Sequence, residues 1–308
     1  MKRLLWALLL AAPPALATRV ALTSVKCPLD GTAVRVYEKL SGDNRGGWDS
    51  DMARYSSHGQ WRTYAVSTCP TEFLTLLGKD FERIRPSELG AIEAVLAPWR
   101  ARYTGADQIP VWERYEIAAD VYRALGWPAR ELAQLYLEGS WTARDHVVGV
   151  YTGLEGPEAA RALLDAGQQE LAKELDPPTR KIVLHNLARV AHRGGFNRER
   201  DALLDRFEAV GDLTAQERSV LTDFRRVSSV TEPHLQDLAI AELERALEGT
   251  DLDEESRLRT IYVLADLHRR RGRTGEATAG YAFVTASSAT PDDIRPLAAW
   301  LGAELSLD

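Results

Sequence analysis

Apolar and polar residues take turns along two early stretches. Ala33 to Leu40 reads AVRVYEKL and Trp61 to Cys69 reads WRTYAVSTC, the two-residue period of half-buried strands. Between them SGDNRGGWDSDMARYSSHG is dense in turn-forming residues and is predicted to be a loop. The pattern predicts a small β-hairpin-like unit whose two strands lead out of and into Cys-Pro turns at Cys27 and Cys69.

From about Ser87 the period lengthens to that of amphipathic helices. SELGAIEAVLAPWRARY starts at a Ser87 cap. VWERYEIAADVYRALG carries Trp112, Tyr115, Ala119 and Tyr122 at helical spacing and stops at Gly126. PARELAQLYLEGSWTARD follows, then RKIVLHNLARVAHRGG with NRERDALLDRFEAVG. Thr214 and Glu217 form a capping box, AIAELERALEG comes next, and RLRTIYVLADLHRRRG with RTGEATAGYAFVTAS makes a further pair. Thr290-Pro291-Asp292-Asp293 supplies a cap, an early proline and acids for the start of the last helix.

The helices recur in pairs with a glycine between them. Gly126 and Gly195 are 69 residues apart, close to two tetratricopeptide periods of about 34, whereas Gly195 and Gly272 are 77 apart. Ala118, Tyr122, Gly126, Ala133 and Tyr136 in one pair match Gly272, Ala277 and Tyr281 in another, small residues for close approach and aromatics between layers. The expected fold is mainly α, a tetratricopeptide-like array of helical hairpins behind a small N-terminal β-hairpin unit of degenerate zinc-ribbon type. Residues 99–151 hold nine of the eighteen Trp and Tyr, so this segment is read mainly as inter-helix core. Trp112, Tyr115, Trp127 and Trp141 are also candidates for lining a peptide groove.

The first residues change the compartment. Lys2 and Arg3 precede an apolar run from Leu4 to Leu10, and Ala15-Leu16-Ala17 is a small-x-small cleavage site. Residues 1–17 are expected to be a signal peptide cleaved after Ala17, giving a periplasmic or secreted protein with no integral membrane segment. Residues 18–82 are assigned to the β unit and 83–308 to the helical domain. Without Lys2 and Arg3, 36 basic residues face 45 acidic ones, a net charge of −9, which argues against nucleic acid as a partner.

The pieces VKCPLDG, GGWDSDMARYS and STCPTEFLTLLGKDF, with AQLYLEGSW further on, resemble an uncharacterised bacterial domain-of-unknown-function family over roughly residues 25–150. That family has paired C-P-x-C knuckles around a β-hairpin, an RDSDF-like loop between them and helical repeats behind. The resemblance implies a metal site at the knuckles. Here Asp30 and Glu72 stand where the second cysteines would, and Ala53 where a further cysteine is expected.

Knuckles that face each other across zinc hold their sulfurs within about 4 Å. One cysteine left in each, in an oxidising compartment, predicts a Cys27–Cys69 disulfide. Closing some forty residues would be worth about 3–4 kcal/mol by loop entropy. The alternatives are two free thiols or a metal site of Cys27, Asp30, Cys69 and Glu72. No cofactor is implied.

Other groups carry candidate chemistry. Asp49 and Asp51 flank Ser50 with His58 nearby, either a cation or paired-carboxylate site or a turn held by Asp side chains. His185 and His192 lie seven apart on one helical face, a spacing of packing residues more than of a metal pair. HRRRGR, His268 to Arg273, is read as a solvated helix end or an anionic-partner site. No G-x-S-x-G, H-E-x-x-H, P-loop or dinucleotide motif is present. The expected function is an exported, non-enzymatic scaffold of the cell envelope that binds a protein or peptide. A metal-binding or redox module at Cys27 and Cys69 is one alternative, and an envelope hydrolase using Asp49, Asp51, Glu72 and His58 is another.

Overall fold

A computed structural model describes residues 19–57, 59–105, 108–149 and 153–306; the expected leader and cleavage position lie outside them. Strands β1 (Arg19–Lys26) and β2 (Ala33–Ser41) form one antiparallel hairpin. After them come β3 (Gly47–Trp48), a single helical turn α1 (Arg62–Ala65), and a second antiparallel hairpin of β4 (Val66–Thr68) and β5 (Thr75–Leu77). Helices then dominate: α2 (Leu89–Tyr103), α3 (Val111–Ala124) and α4 (Ala129–Val148). A short strand β6 (Leu154–Glu155) precedes α5 (Gly156–Leu171), α6 (Pro177–Gly194), α7 (Asn197–Ala209) and α8 (Ala215–Arg226). A π-helical turn at Val227–Thr231 leads into α9 (Glu232–Glu248), followed by α10 (Glu254–Arg270), α11 (Thr274–Ala286) and α12 (Arg295–Glu304). The chain is therefore mainly α with a small N-terminal β unit, as expected.

The two predicted strands do not pair with each other. Each folds back across its own Cys-Pro turn, and the turns are built alike. Cys27 N–H donates to Thr32 O and Gly31 N–H to Cys27 O, just as Cys69 N–H donates to Leu74 O and Phe73 N–H to Cys69 O. Gly31 and Phe73 occupy the same left-handed position, at φ 76° and 58°. The second predicted strand is also shorter than its alternation suggests. Residues 62–65 coil because Arg62 is drawn inward to Asp145 and its carbonyl accepts the Tyr115 hydroxyl, so tertiary bonds override β propensity.

Local signals set several helix ends. Thr214 Oγ1 accepts from Glu217 N–H while the Glu217 carboxylate accepts from Thr214 N–H, the expected box at α8. Asp176 caps α6 and Asp253 caps α10. Thr290 does not start the last helix. Its hydroxyl donates back to the Val284 carbonyl, and α12 begins at Arg295. Helix α5 carries its own apolar stripe and packs on α6, a pairing the repeat spacing did not anticipate.

Consecutive helices pack as antiparallel neighbours, α3 with α4, α5 with α6, α6 with α7, and α10 with α11. The most extensive helix contact is instead α4 against α9. A strict solenoid has each unit touching only its sequence neighbours, so this long-range pairing folds the array back on itself. One apolar core joins both β-hairpins to α2, α3, α4 and α9, running across residue 82 without a break. A second lies among α5 to α8 and a third among α10, α11 and α12.

Candidate functional site

The loop between β2 and α1 enters the space among these cores. Gly47 pairs in parallel with Leu154, and Trp48 with Glu155. That approach requires glycine at residue 47, because its φ is 87° and an added Cβ would fall 1.9 Å from the Leu154 carbonyl oxygen. Gly156 likewise leaves room for the Trp48 ring, 2.6 Å from where a Cβ would stand. The Asp49 carbonyl accepts from Met52 N–H, closing a tight turn with Met52 at φ 69°. Trp48 and Met52 then rest on the third core, and the turn aims Asp49, Ser50 and Asp51 at α4, α6 and α10.

All three loop side chains are buried. Asp49 accepts the Tyr55 hydroxyl at 2.6 Å, Arg144 Nη1 at 2.8 Å and Arg193 Nε at 2.8 Å. Asp51 accepts Arg144 Nη2 at 2.5 Å and Trp141 Nε1 at 3.0 Å, with Arg270 Nε 3.6 Å away. Ser50 donates to Asp266 at 2.9 Å and accepts from Arg269 and Arg270 at 2.8 and 2.9 Å. Its carbonyl takes the Tyr262 hydroxyl, and Asp266 takes that of Tyr281. From α9, Glu232 completes the fork of Arg144 and faces His192 Nε2 at 2.9 Å.

Four carboxylates (Asp49, Asp51, Glu232, Asp266) thus meet four guanidiniums (Arg144, Arg193, Arg269, Arg270) inside the fold. Burial opposes ionisation of Asp51, but the Arg144 and Arg270 charges outweigh it and hold the carboxyl well below the usual range. The same balance of burial against Arg144 and His192 brings Glu232 to about 2. Burial weighs against Asp266 too, and Arg269 and Arg270 bring it down. Burial and the Asp49 charge push the Tyr55 phenol up, so it remains a proton donor. His192 goes the other way: burial lowers it more than Glu232 raises it. Removing any one charge leaves its partners under-compensated in a low-dielectric interior, which makes this network a device for fixing geometry.

Asp49 and Asp51 are therefore brought together, but as buried acceptors with their lone pairs occupied. His58 lies outside the described residues. Cys27 and Cys69 form the expected disulfide, with Cα atoms 5.8 Å apart and both residues buried. The rival ligand set does not converge. Asp30 binds Thr32 and Thr71, and Glu72 pairs with Arg100 at 2.5 Å. Among the described residues no group of three or more His, Cys, Asp or Glu is placed to hold a metal.

The groove aromatics are core residues. Trp112, Tyr115 and Trp141 are buried, and Trp127 is half-buried with its ring 3.8 Å from that of Tyr122. They face inward because α3 and α4 are covered by the β unit and by α9. The basic run also differs from its reading as a solvated end. Arg269 and Arg270 turn inward to Ser50 and Asp266, while Arg271 and Arg273 share Asp237 on the surface. His185 packs against Phe207 and Phe224.

Sequence reasoning missed Arg144, Arg193, Glu232 and Asp266. One usable sign was present: each is a charged residue within or beside the apolar stripe of its helix, while the loop offers two acids with no local partner. No family model, curated protein or solved structure matches the chain.

Proposed function

We propose that the chain is an exported, non-enzymatic scaffold that binds a protein or peptide partner on its helical surface. The observation that carries this reading is an open groove between α6 and α8, about 440 Å³, lined by Ile182, His185, Phe207 and Val220. Ile182 is 62 % and Val220 39 % exposed, an unusual pair of apolar side chains to leave facing water across one concavity. A groove of this form suits an amphipathic segment presenting two or three apolar side chains. The buried disulfide supports an oxidising compartment. No helix of the described residues is long and apolar enough to cross a membrane.

The occupied acids favour this reading over a hydrolase. A general acid or base must reach substrate, and the carboxylates of Asp49 and Asp51 are already satisfied by arginines, Tyr55 and Trp141. The test is a photo-crosslinking residue at Ile182, with a control at Leu40, which is 64 % exposed on β2. The expected result is an adduct of one apparent mass from Ile182, absent from Leu40 and abolished by Val220→Asp. Identical adduct patterns at both positions, or none at Ile182, would sink the proposal.

A further inference from the structure

A second concavity, about 360 Å³, lies where the β unit meets α3, and none of the buried acids lines it. Its walls come from β2, β4, the Cys69-Pro70 turn and the start of α3. Two cations face it, Arg35 and Arg114, and no carboxylate of the described residues lines it. That is unexpected in a chain of net charge −7, whose arginines are so widely paired with Asp and Glu. Neither Arg35 nor Arg114 has an ion pair among the described residues. Arg114 spends its Nε on the Ile109 carbonyl at 3.0 Å, which steers the fork and leaves its two terminal nitrogens without a partner among the described residues. Burial lowers its hold on the proton, and only Tyr37 works against that. An anion would do so far more strongly.

A further polar group points to a ligand. Ser67, on β4, lines the cavity and is only 4 % exposed, yet its hydroxyl oxygen is buried without a hydrogen-bond partner. Buried hydroxyls are rarely left so, and an unmet one beside an unpaired guanidinium marks a place for an oxygen-bearing guest. The remaining lining is apolar, chiefly Val66, Phe73 and Ile109. A bare phosphate would leave those walls uncovered, whereas a planar carboxylate matches the guanidinium fork and an attached apolar group covers the rest.

We infer that the cavity bounded by Arg35, Ser67, Phe73 and Arg114 binds a carboxylate carried on an apolar group. Such a carboxylate could come from the C-terminus of a peptide or from a free amphipathic organic acid. The site is separate from the α6–α8 groove and does not depend on the scaffold reading.

The experiment is calorimetric titration of the oxidised full chain with N-acetylphenylalanine, N-acetylphenylalaninamide, 4-phenylbutyrate and inorganic phosphate. Saturable binding of the two carboxylates is expected, with the uncharged amide at least tenfold weaker and phosphate no tighter than the amide. Arg114→Met should weaken the carboxylates at least tenfold, and Ser67→Ala by a smaller factor. Arg35→Met lies on an exposed position, so it reports on binding even if Arg114→Met does not fold, and should weaken them severalfold. N-acetylphenylalanine tighter than 4-phenylbutyrate assigns the site to chain ends; equal affinity assigns it to free acids. Equal binding of acid and amide, tighter binding of phosphate, no saturation by either carboxylate, or affinities unchanged in Arg35→Met would each overturn the assignment.

Discussion

Arg144 on α4 holds Asp51, 93 residues earlier in the chain, at 2.5 Å, and neither side chain touches solvent. The same guanidinium serves Asp49 and Glu232, so a single cation joins the loop, α4 and α9. Replacing Arg144 by Met keeps much of its volume but takes from three buried carboxylates the one cation they share, leaving Asp49 to Arg193, Asp51 to the more distant Arg270, and Glu232 facing only His192. The expected loss is about 3–5 kcal/mol, read as a lowered urea midpoint. Arg144→Lys should recover only part of it, because an ammonium cannot reproduce the fork. An unfolding free energy within about 0.5 kcal/mol of wild type for Arg144→Met would contradict the keystone role given to this residue.

Acid should weaken the fold in two stages. His192 has its pKa lowered by burial, against the pull of Glu232 and with Arg200 and Arg144 nearby. The unfolded chain therefore takes up this proton first, and stability falls as pH drops below about 6.5, by up to about 1.4 kcal/mol per pH unit for each such group. His192→Gln removes one such increment. Unfolding free energies at pH 7.5, 6.5 and 5.5 should show the wild type losing ground to the variant as pH falls; a constant gap would refute this. Asp51, Glu232 and Asp266 are depressed carboxylates. Their contribution is complete above about pH 4 and is lost as pH falls toward 2 and below.

The disulfide closes a separation of 42 residues between two small hairpins. Its loss should cost about 3–4 kcal/mol by loop-closure entropy. Hydrogen exchange of a Cys27→Ser/Cys69→Ser chain should show faster exchange in β1 and β2 than in α5 to α8. Unchanged protection of residues 19–41 would mean that packing alone holds the hairpins.

Gly47→Ala tests how the loop is seated. The new methyl would meet the Leu154 carbonyl and the residue would keep a positive φ, so the β3–β6 contact must open. A destabilisation of more than about 2 kcal/mol is expected, with new protease cleavage between residues 42 and 57. Resistance to cleavage equal to that of the wild type would show that the loop can shift without leaving its seat.

What the sequence revealed follows the range of the interactions involved. The Thr214–Glu217 box was readable within four residues and is present, whereas Ser87 and Thr290, read as caps in the same way, do not cap their helices. Cys27–Cys69 was accessible because the expected oxidising compartment and two half-knuckles restrict the chemistry. Arg269 and Arg270 were not, because whether a helix-end arginine faces water or an acid depends on a loop some 220 residues earlier. Residues 62–65 failed for the same reason: their alternation reads as strand until Asp145 and Tyr115 pull on Arg62. The pairing of Arg35 and Arg114 around one cavity left no mark in the sequence, since β2 and the start of α3 meet only in the fold.

The separation between Ser50 and Arg270 also orders events in time. A polypeptide that emerges N-terminus first shows its loop acids long before the last helices exist to neutralise them. Tight docking of the loop must therefore wait until synthesis is nearly complete, whatever the earlier helices have already formed among themselves.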